Sequence, residues 1–519
     1  MSNLEQDLLR PGTELIETHT SWVFLGVDTV WKIKKPVDFG FLDFTTVDER
    51  RRACEAEVKL NARLAPGVYQ GVVPVCLDES GRHRLEGDGA AVDWAVKMAR
   101  LPESRRADTL LQAGALRISD IDLLAECIAR FHNLMPTDER IAEFGKPEVL
   151  LDNVRENFSQ TRDTVREHLN ETEAQEIEHK QLAFIEEHRN LLDARCISGR
   201  VRDGHGDLRL EHVYLTGDGP SIIDCIEFNE RFRYEDVCAD AAFLSMDLER
   251  LGRVDLAERF IASYARAASD FDLYPLLDFY EGYRAYVRGK VASMLAHDAG
   301  ASAKVRARAA KDARRYYMLA LSAGRESLLS PVVVAVGGVI ASGKSTIAEQ
   351  LSTLLTAPVL DTDTTRKSLL GVAPTQPMHE GAWQGAYAPE RTDAVYAEVL
   401  RRADRVVASE RPVVLDASFR SRAARAAARA LAQKYGVPFF FVETQAPRAL
   451  CRDRLRQRAR SSSVSDGRLE IFDDFIAQWE PVTEISPSEH IVVDTTKSPG
   501  AVHEQLERRL PVWPAGLTQ

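Results

Sequence analysis

The chain of 519 residues lacks the features that mark membrane-bound and disulfide-rich proteins. It has no apolar run close to the roughly 20 residues that a bilayer-spanning helix needs. The segment MSNLEQDLLRPGTELIE is acidic and has neither the basic nor the apolar region of a signal peptide. The 7 cysteines are scattered singly, without a Cys-x-x-Cys pair, which argues against a disulfide framework and a cysteine zinc site. These absences predict a cytoplasmic protein with reduced thiols and no membrane partner.

The chain also has fewer basic than acidic residues, with 67 Lys and Arg against 79 Asp and Glu. The formal net charge is -12, which argues against strong nonspecific binding of nucleic acid by the whole chain. Residues 401–460 are rich in arginine, and the simplest interpretation of that stretch is a set of solvated helix faces. The hydrophobic content of 45% is ordinary for a globular protein, and the length predicts roughly two to four domains.

The first part of the chain alternates short β-rich runs with one helix. SWVFLGVDTVWKIKKPV holds two such runs around Gly-Val-Asp, which is typical of a hairpin. TTVDERRRACEAEVKLNARL has helical spacing, and GVVPVCLDE, HRLEG and AVDWAVKMARL predict three further strands. Later segments such as DIDLLAECIARFHNLM are helical, with one hairpin in HVYLTGDGPSIIDCIEF. A strand-rich lobe (about 1–100) and a helical lobe (about 101–328) predict a bilobal α+β domain, 1–328.

A second fold pattern begins near SPVVVAVGG and predicts an α/β domain with a doubly wound parallel sheet over 329–519. The motif Gly-x-x-x-x-Gly-Lys-Ser lies between the buried-type strand VVVAV and the amphipathic helix TIAEQLSTLL. Glycines let backbone N–H groups turn toward an anion, and the helix N-terminus adds positive partial charge. The motif therefore predicts binding of ATP and Mg²⁺. The predicted nucleotide-binding residues are Gly338, Ser342, Gly343, Lys344, Ser345 and Thr346.

Within this motif Lys344 is expected to reach the β- and γ-phosphates, and the Ser345 hydroxyl is expected to bind Mg²⁺. Two later strands end in carboxylates. In LDTDTTRKSLLG, Asp363 either takes a proton from an acceptor hydroxyl or caps the following helix, and both roles are compatible. In VVLDASF, Asp416 is either a ligand of Mg²⁺ or of its water, or a turn residue at a strand end.

The arginine-rich stretch CRDRLRQRARSSSVSDG follows these strands. Arg454 and Arg458 are four residues apart and share a helix face. They either neutralise phosphate charge from a mobile lid or form part of a solvated basic helix. The polar segment RSSSVSDG is predicted to be mobile.

These motifs together make residues 332 to about 510 similar to the P-loop kinases grouped with zeta toxins, polynucleotide kinases and gluconate kinases. The pieces that carry the resemblance are GGVIASGKST, LDTDTTRK, VVLDASF and the arginine-rich stretch. The resemblance implies that Asp363 acts as a base and that Arg454 and Arg458 hold phosphates.

The stretch GHGDLRLEHVYL contains His-x-Asp followed by a histidine where kinase loops have asparagine. If the hairpin turns around Asp218, His212 lies across from Asp224, with Asp207 just upstream. Such a set would place a hydroxyl acceptor at Asp207 and Mg²⁺ at Asp224 and His212. A zinc site formed by His205, Asp207 and His212 is the less favoured alternative.

The strand-rich lobe supplies a lysine and a glutamate of the kind that hold phosphates. Lys32 in VWKIKK lies on a predicted strand, and Glu57 lies on the predicted helix that follows. Lys32 and Glu57 are the preferred pair. Lys34, on the same strand face as Lys32, and Glu55 are the competing choices. No Gly-x-Gly-x-x-Gly precedes Lys32, which disfavours a standard protein kinase.

The first 328 residues resemble the aminoglycoside phosphotransferase group of kinase-like enzymes, which also includes choline kinases. HGDLRLEHVYL is similar to the catalytic loop of that group, and IIDCIEFN to its metal-binding strand. More narrowly, ETHTSWVFLGVDTVWKIKKPVDFGFLDF, HGDL and IEFNERFRYEDVCADAAFLSMDL look like the bacterial family of bifunctional aminoglycoside phosphotransferase/ATP-binding proteins. His212 departs from the asparagine of the broader group, and imidazole suits Mg²⁺ less well than an amide oxygen does.

The sequence therefore predicts a tandem kinase in which each domain transfers the γ-phosphate of ATP to a hydroxyl of a small molecule, such as a sugar, an aminosugar or a nucleotide-like compound. The alternative is a noncatalytic nucleotide-sensing module, more readily the N-terminal domain because of His212, that regulates the other domain. A weaker hypothesis is a toxin-like kinase acting on a nucleotide sugar. RNA is a less favoured acceptor, and the oligomeric state stays open.

Overall fold

The structure is a computed structural model that describes residues 3–38, 40, 42–217, 219–324, 330–372, 376, 378, 384–458 and 467–512. The chain divides into two compact units. The first unit comprises residues 1–250 and 280–321, and the second comprises 251–279 and 322–519. The residues 251–279 therefore group with the residues after 321, whereas the sequence predicts a single boundary at 328.

The first unit begins with a six-stranded antiparallel sheet in the order β1-β2-β3-β6-β4-β5. Its strands are β1 (Glu14–Glu17), β2 (Ser21–Leu25), β3 (Thr29–Lys34), β4 (Tyr69–Leu77), β5 (His83–Leu85) and β6 (Ala91–Ala99). The strands predicted from the first hundred residues are thereby confirmed, including the hairpin formed by β2 and β3. The strand β3 lies inside the sheet, so a side chain on it has a fixed position.

The helices α1 to α12 are α1 (Asn3–Leu8), α2 (Val47–Asn61), α3 (Ala107–Gln112), α4 (Ile118–Leu134), α5 (Glu139–Ala142), α6 (Pro147–Thr161), α7 (Glu171–Glu187), α8 (Arg189–Ile197), α9 (Val237–Arg250), α10 (Val254–Ala268), α11 (Tyr274–His297) and α12 (Ala303–Ser322). The Thr46 side chain caps α2 by accepting a hydrogen bond from the Glu49 N–H at 3.2 Å. The buried face of α2 includes Ala53, Cys54 and Glu57 at helical spacing, so one carboxylate lies on the face that packs on the sheet.

Two small antiparallel ribbons lie within the helical lobe. The strands β7 (Val201–Asp203) and β10 (Tyr234–Asp236) pair with each other, as do β8 (Val213–Thr216) and β9 (Gly219–Ile222). The hairpin of β8 and β9 was predicted, but its register differs from the predicted one. Thr216 pairs with Gly219, so the residue across from His212 is Ile223, whose N–H donates to the His212 carbonyl at 3.0 Å. The predicted position of Asp224 opposite His212 is therefore wrong by one residue.

The second unit is built on a parallel five-stranded sheet in the order β12-β13-β11-β14-β15. Its strands are β11 (Val333–Gly337), β12 (Val359–Asp361), β13 (Val413–Asp416), β14 (Phe439–Gln445) and β15 (His490–Asp494). Alternate valines of β11 pack against the apolar face of the next helix, burying Ile347 and Leu351. The carboxyl ends of β11, β12 and β13 meet at one edge, which gathers Gly337, Asp361 and Asp416.

The helices of this unit after the first strand are α13 (Lys344–Leu355), α14 (Thr362–Leu369), α15 (Pro389–Ala408), α16 (Arg422–Tyr435), α17 (Arg448–Arg458), α18 (Phe472–Ala477) and α19 (Pro499–Glu507). The residues 251–279 are attached by ion pairs. The Arg411 guanidinium lies 2.9 Å from Glu258 on α10 and 2.8 Å from Asp278. These contacts link the segment to the rest of this unit.

None of the described helices combines the length and the apolar character that crossing a bilayer requires. All seven cysteines lie within the described residues, and each is a free thiol.

Candidate functional sites

The first candidate site is organised around Lys32, in the interior strand β3. The Lys32 ammonium lies 2.9 Å from Glu57 of α2 and 2.6 Å from Asp224. Burial by itself lowers the pKa of Lys32, but the charges of Asp224 and Glu57 outweigh it, so the pKa lies well above its usual value. Lys32 is therefore a permanent cation with its ammonium held between two carboxylates.

Glu57 also binds the second lysine of the strand. Its other oxygen lies 2.5 Å from the Lys34 ammonium, which in turn pairs with Glu227. Glu57 is fully buried and Lys34 nearly so. The two lysines that the sequence offered as alternatives thus share one carboxylate. Glu55, the competing glutamate, pairs at the surface with Arg51 at 2.9 Å.

Asp224 lies beyond the strand on which the sequence placed it. The strand β9 ends at Ile222, and Asp224 has a φ of 65°, in the left-handed region that non-glycine residues rarely occupy. Its N–H donates to the Tyr69 hydroxyl at 3.2 Å, and the next N–H, that of Cys225, donates to Asn61 at 2.8 Å. Tyr69 and Asn61 therefore fix this loop, although nothing in the sequence singled them out.

Asp207 is held by an arginine two residues along the chain. The Arg209 guanidinium donates to both carboxylate oxygens of Asp207 at 2.8 Å and also pairs with Glu211. Burial raises the pKa of Asp207, but the positive charges of Arg209, His212 and Arg288 outweigh it and hold the pKa below its usual range. The side chain of Asp207 remains 21% exposed. Asp207 is therefore an ionised carboxylate at the surface of the site, with a bidentate partner that the sequence did not predict.

His212 stands between the two aspartates. Its Nδ1 lies 2.9 Å from the Asp207 carbonyl, which requires the proton on Nδ1, and Nε2 lies 3.6 Å from the nearest oxygen of Asp224. Nε2 also lies 3.3 Å from the Arg209 guanidinium. The structure thus brings together Asp207, His212 and Asp224, as the sequence proposed.

The zinc alternative does not fit the structure. Both ring nitrogens of His205 have backbone partners, the Ile223 carbonyl at 3.0 Å and the Asp207 N–H at 3.3 Å. Burial lowers the pKa of His205 to about 4, so the ring is neutral. Over the described ranges, no three His, Cys, Asp or Glu side chains are arranged to hold one metal ion.

The loop that carries Asp207 is held in place by hydrogen bonds to Asp240 of α9. The Asp240 carboxylate accepts hydrogen bonds from the N–H groups of His205 at 2.6 Å and Gly206 at 2.9 Å. Gly206 has a φ of 84°, and a Cβ there would lie 2.5 Å from the Phe232 carbonyl oxygen. Asp240 thus braces the helical lobe, and the glycine lets the chain turn toward Asp207.

The second candidate site is the loop between β11 and α13. Gly343 has a φ of 99° and stands at the N-terminus of α13, where a Cβ would lie 3.1 Å from Thr495. The Ser342 hydroxyl lies 2.6 Å from the Thr444 hydroxyl, and the Thr495 hydroxyl donates to the Ser342 carbonyl at 2.7 Å. Ser342 is thus a buried anchor of the loop, whereas Ser345 and Thr346 are exposed at the helix start.

The cation and the carboxylates of this loop lie at the edge of the sheet. The Lys344 ammonium donates to the Val339 carbonyl at 3.0 Å, and burial lowers its pKa despite the nearby Asp416 and Asp363. Burial raises the pKa of Asp416 to about 6, although Lys344 and a hydrogen bond with the Ser345 side chain act in the opposite direction. Lys344, Ser345, Asp363 and Asp416 therefore belong to one electrostatically coupled group.

Asp363 does not cap its helix. The N-cap of α14 is Asp361, whose carboxylate accepts from the Thr364 N–H at 2.6 Å, and Asp363 lies in the first turn. The capping alternative for Asp363 is wrong, because the preceding aspartate already occupies that position. Its role as a base stays a prediction.

Arg454 and Arg458 both lie on α17 and line one cleft beside the loop, as their spacing suggested. The cleft has a volume of about 430 Å³ and includes Gly343, Thr346 and Lys497 in its wall. The Arg454 guanidinium donates to the carbonyls of Ala341 at 3.1 Å and Thr495 at 3.0 Å. The solvated-helix interpretation is therefore wrong for Arg454, which supports the phosphate loop. Of the segment 460–467, predicted to be mobile, only Gly467 lies within the described residues.

Both sites offer oxygen ligands of the kind that Mg²⁺ prefers. In the first site these are the Asp224 carboxylate, 44% exposed, with His212 as a less suitable nitrogen donor. In the second they are the Ser345 hydroxyl and the Asp416 carboxylate, which lie near each other. One or two carboxylates are enough for a cation that also binds phosphate oxygens and water, so both donor sets fit Mg²⁺.

Family comparisons match both parts of the chain. The model of the "Phosphotransferase enzyme family" matches residues 43–280, and the "AAA domain" model matches residues 333–482. Uncharacterized protein Rv2004c of Mycobacterium tuberculosis is 33% identical over 463 residues, 89% of this chain and 89% of that protein. The chain belongs to the bifunctional aminoglycoside phosphotransferase/ATP-binding protein family. The predicted fold class, a kinase-like domain followed by a P-loop domain with a parallel sheet, is confirmed.

Two solved structures are also similar to parts of this family member. A mutant of aminoglycoside 2'-phosphotransferase IIIa in complex with GDP is 14% identical, covering 61% of this chain and 92% of its own, with a TM-score of 0.34. A gluconokinase from Sinorhizobium meliloti is 20% identical, covering 34% of this chain and 90% of its own, with a TM-score of 0.25. Family membership rests on the family models and the mycobacterial relative, and both domain assignments indicate phosphotransfer and nucleotide binding.

Proposed function

We propose that the chain is a tandem kinase with two sites, each transferring the γ-phosphate of ATP to a hydroxyl of a small molecule. The observation that carries the proposal is that each unit places a partly buried lysine near carboxylates. In the first unit Lys32 is paired with Glu57 and Asp224, and Asp207 lies across His212 from Asp224. In the second, Lys344 is coupled to Asp363 and Asp416.

The chemistry asked of these residues is mainly positioning and charge neutralisation. The acceptor oxygen bonds to the γ-phosphorus as the bond from that phosphorus to the β–γ bridging oxygen breaks, and ADP leaves with the electron pair. The acceptor proton passes to Asp207 in the first site and to Asp363 in the second. When bound, Mg²⁺ neutralises phosphate charge. Lys32 and Lys344 hold phosphate oxygens, and for Lys32 a phosphate replaces part of its contact with Asp224.

In the second unit the cleft lined by Arg454 and Arg458 receives the part of the nucleotide that extends beyond the loop. It adjoins Gly343 and the exposed Thr346 at the start of α13. A base and ribose bound there would leave the phosphates on the backbone N–H groups of the loop. Arg458 then neutralises phosphate charge, while Arg454 holds the loop through the Ala341 carbonyl.

A second candidate function for the first unit is a noncatalytic nucleotide sensor. The observation that favours it is the bidentate contact between Arg209 and Asp207, which occupies both oxygens of the proposed base. The two candidates differ in one requirement. Catalysis requires one carboxylate oxygen of Asp207 to leave its contact with Arg209 and bind the acceptor hydroxyl. Sensing requires no such change, and both contacts between Arg209 and Asp207 stay in place.

The test is phosphotransfer from γ-labelled ATP to a panel of sugars, aminosugars, nucleotides and RNA ends by the full chain. We expect Asp207→Asn and Lys344→Met each to abolish labelling of a different subset of acceptors, and the double variant to abolish all labelling. Asp152→Asn, at a position 76% exposed, is the matched control and should keep both activities. If Asp207→Asn leaves every activity intact, the first unit is a sensor and the tandem proposal fails.

A further inference from the structure

One arginine near Asp207 makes no hydrogen bond or ion pair within the described parts of the chain. The helix α11 presents Arg284 and Arg288 one turn apart, on the same face. Arg284 pairs with Glu235, but Arg288 makes no hydrogen bond or ion pair with a described residue, and its Nε is buried without an acceptor. Buried guanidinium N–H groups normally donate hydrogen bonds, so the free Nε–H of Arg288 indicates a position where a ligand could supply the acceptor.

The surroundings of Arg288 show which part of the site it faces. Its charge acts on Asp207 and on Glu211, lowering the pKa of both. The main charges that act on the pKa of Asp224 are instead those of Lys32, His212 and Lys34. Arg288 therefore belongs to the side of the site where the acceptor hydroxyl meets Asp207, away from the lysines proposed to hold the nucleotide phosphates.

The other cations on that side are already matched by carboxylates. Arg209 is bound by Asp207 and Glu211, and Arg250 lies 2.8 Å from Asp247. The Arg250 and Arg288 guanidinium carbons lie 5.4 Å and 5.8 Å from the ring centre of Tyr316, so the three side chains form one wall. Arg288 is the member of this wall whose guanidinium forms no ion pair with a carboxylate among the described residues.

We propose that Arg288 binds a phosphate group carried by the hydroxyl acceptor of the first site, so that this acceptor is a phosphorylated sugar or polyol. The inference rests on the proposed kinase activity of the first unit. A guanidinium binds a phosphate through two parallel N–H···O contacts, which also orients the acceptor toward Asp207. A polycationic aminoglycoside would place its ammonium groups against Arg288 and is excluded as the preferred acceptor.

The experiment uses full-length chain carrying Lys344→Met, which silences the second site. Matched acceptor pairs differ only in the phosphate: glucosamine and glucosamine 6-phosphate, ribose and ribose 5-phosphate, glycerol and glycerol phosphate, with kanamycin added as the cationic acceptor. Two quantities are measured, the thermal stabilisation of the chain by each compound with a nonhydrolysable ATP analogue present, and transfer of label from γ-labelled ATP.

We expect the phosphorylated member of at least one pair to bind and react about tenfold or more better than its twin. Arg288→Met should raise the KM of that acceptor about tenfold and leave the KM of ATP unchanged, with Arg288→Lys in between. Arg308→Met, at a position 87% exposed on α12, is the control and should change neither constant.

Three results overturn the proposal: a preference for kanamycin or for the unphosphorylated twins, an Arg288→Met effect on the KM of ATP instead of the acceptor, or equal stabilisation by both members of every pair. The second result would assign Arg288 to the nucleotide phosphates. If no compound is labelled in an Asp207-dependent manner, the proposed kinase activity fails separately. The phosphate-dependent difference in stabilisation, and its loss in Arg288→Met or Arg288→Gln, then still decides whether Arg288 is a phosphate site.

Discussion

The two candidate phosphate sites are built in opposite ways. The site in the second unit is centred on one continuous loop, from Gly338 to Ser345, that offers an anion backbone N–H groups and a helix N-terminus. The site in the first unit is assembled from side chains on separate segments: Lys32 on β3, Glu57 on α2, and Asp207 and Asp224 on two loops. A continuous loop carries its geometry in its own glycines, whereas the assembled site depends on ion pairs that form only in the folded unit.

This difference predicts where each site is vulnerable. In the first unit the buried charges stabilise one another, so loss of one member leaves an uncompensated charge in the interior. In the second unit the loop is supported by hydrogen bonds to backbone carbonyls, so loss of one support changes affinity more than stability. The predictions below test this contrast from the largest expected effect to the smallest.

Glu57→Gln should have the largest effect, because this buried carboxylate pairs with both Lys32 and Lys34. We expect it to destabilise the first unit by about 3–5 kcal/mol, measured as the free energy of opening from hydrogen exchange of the α2 amides. Glu55→Gln, on the exposed face of the same helix, should cost no more than about 0.5 kcal/mol. Equal costs for the two substitutions would show that the ion-pair network does not hold the site together.

Arg209→Met should shift the pH dependence of transfer by the first site. Arg209 helps to hold the pKa of Asp207 below its usual range, so removing it lets that pKa rise. The carboxylate then becomes protonated at a higher pH, and activity is lost on the acid side about 1–3 pH units earlier than in the unchanged chain. The acid limb of kcat/KM against pH is the readout. An unchanged limb together with lower activity would mean that Arg209 does not set the charge of Asp207.

The raised pKa of Asp416 leads us to expect that nucleotide binding depends on pH at the second site only. Because burial raises its pKa to about 6, a proton competes with Mg²⁺ below that pH. In a Lys32→Met chain, the Mg²⁺-dependent affinity for nucleotide should fall about tenfold per pH unit below pH 6 and level off above it. Nucleotide phosphates also titrate in this range, so the Asp416→Asn chain supplies the background slope. Identical slopes in both chains would remove Asp416 from the metal site.

Arg454→Lys should have the smallest effect. Two separate guanidinium nitrogens bind the Ala341 and Thr495 carbonyls, and the single nitrogen of a lysine does not reproduce that fork, so the phosphate loop loses part of its support. We expect nucleotide affinity of the second site to fall about three- to tenfold, with no change in the first site. Arg456→Lys on the same helix, at a position 61% exposed, is the control and should have no effect. A matching loss in both variants would indicate general weakening of α17.

The contrast between the sites also explains what could be predicted from the sequence. The loop Gly338–Ser345 is contiguous, so its residue types and spacing predict the strand, the turn and the helix together. The Lys32–Glu57 pair could also be predicted from the sequence, because a strand followed by an amphipathic helix places one glutamate on the buried face. The sequence could not decide between Lys32 and Lys34. The residue that distinguishes them is Glu227, which binds Lys34 and lies 193 positions away from it.

The errors have local causes. The hairpin of β8 and β9 turns half a residue earlier than assumed, which moved the partner of His212 from Asp224 to Ile223. The Arg209–Asp207 contact was missed because both residues lie in an irregular loop, where no helix or strand period predicts which side chains meet. Asn61 and Tyr69 were missed because each acts on a backbone N–H more than 150 residues further along the chain.

The central claim is that one chain carries two separate nucleotide sites. Equilibrium binding of a labelled nonhydrolysable ATP analogue to the full chain at saturating Mg²⁺ tests it most directly. The account predicts two molecules bound per chain, one in Lys32→Met, one in Lys344→Met and none in the double variant. A single molecule bound per chain, lost in Lys344→Met and unaffected by Lys32→Met, would contradict it.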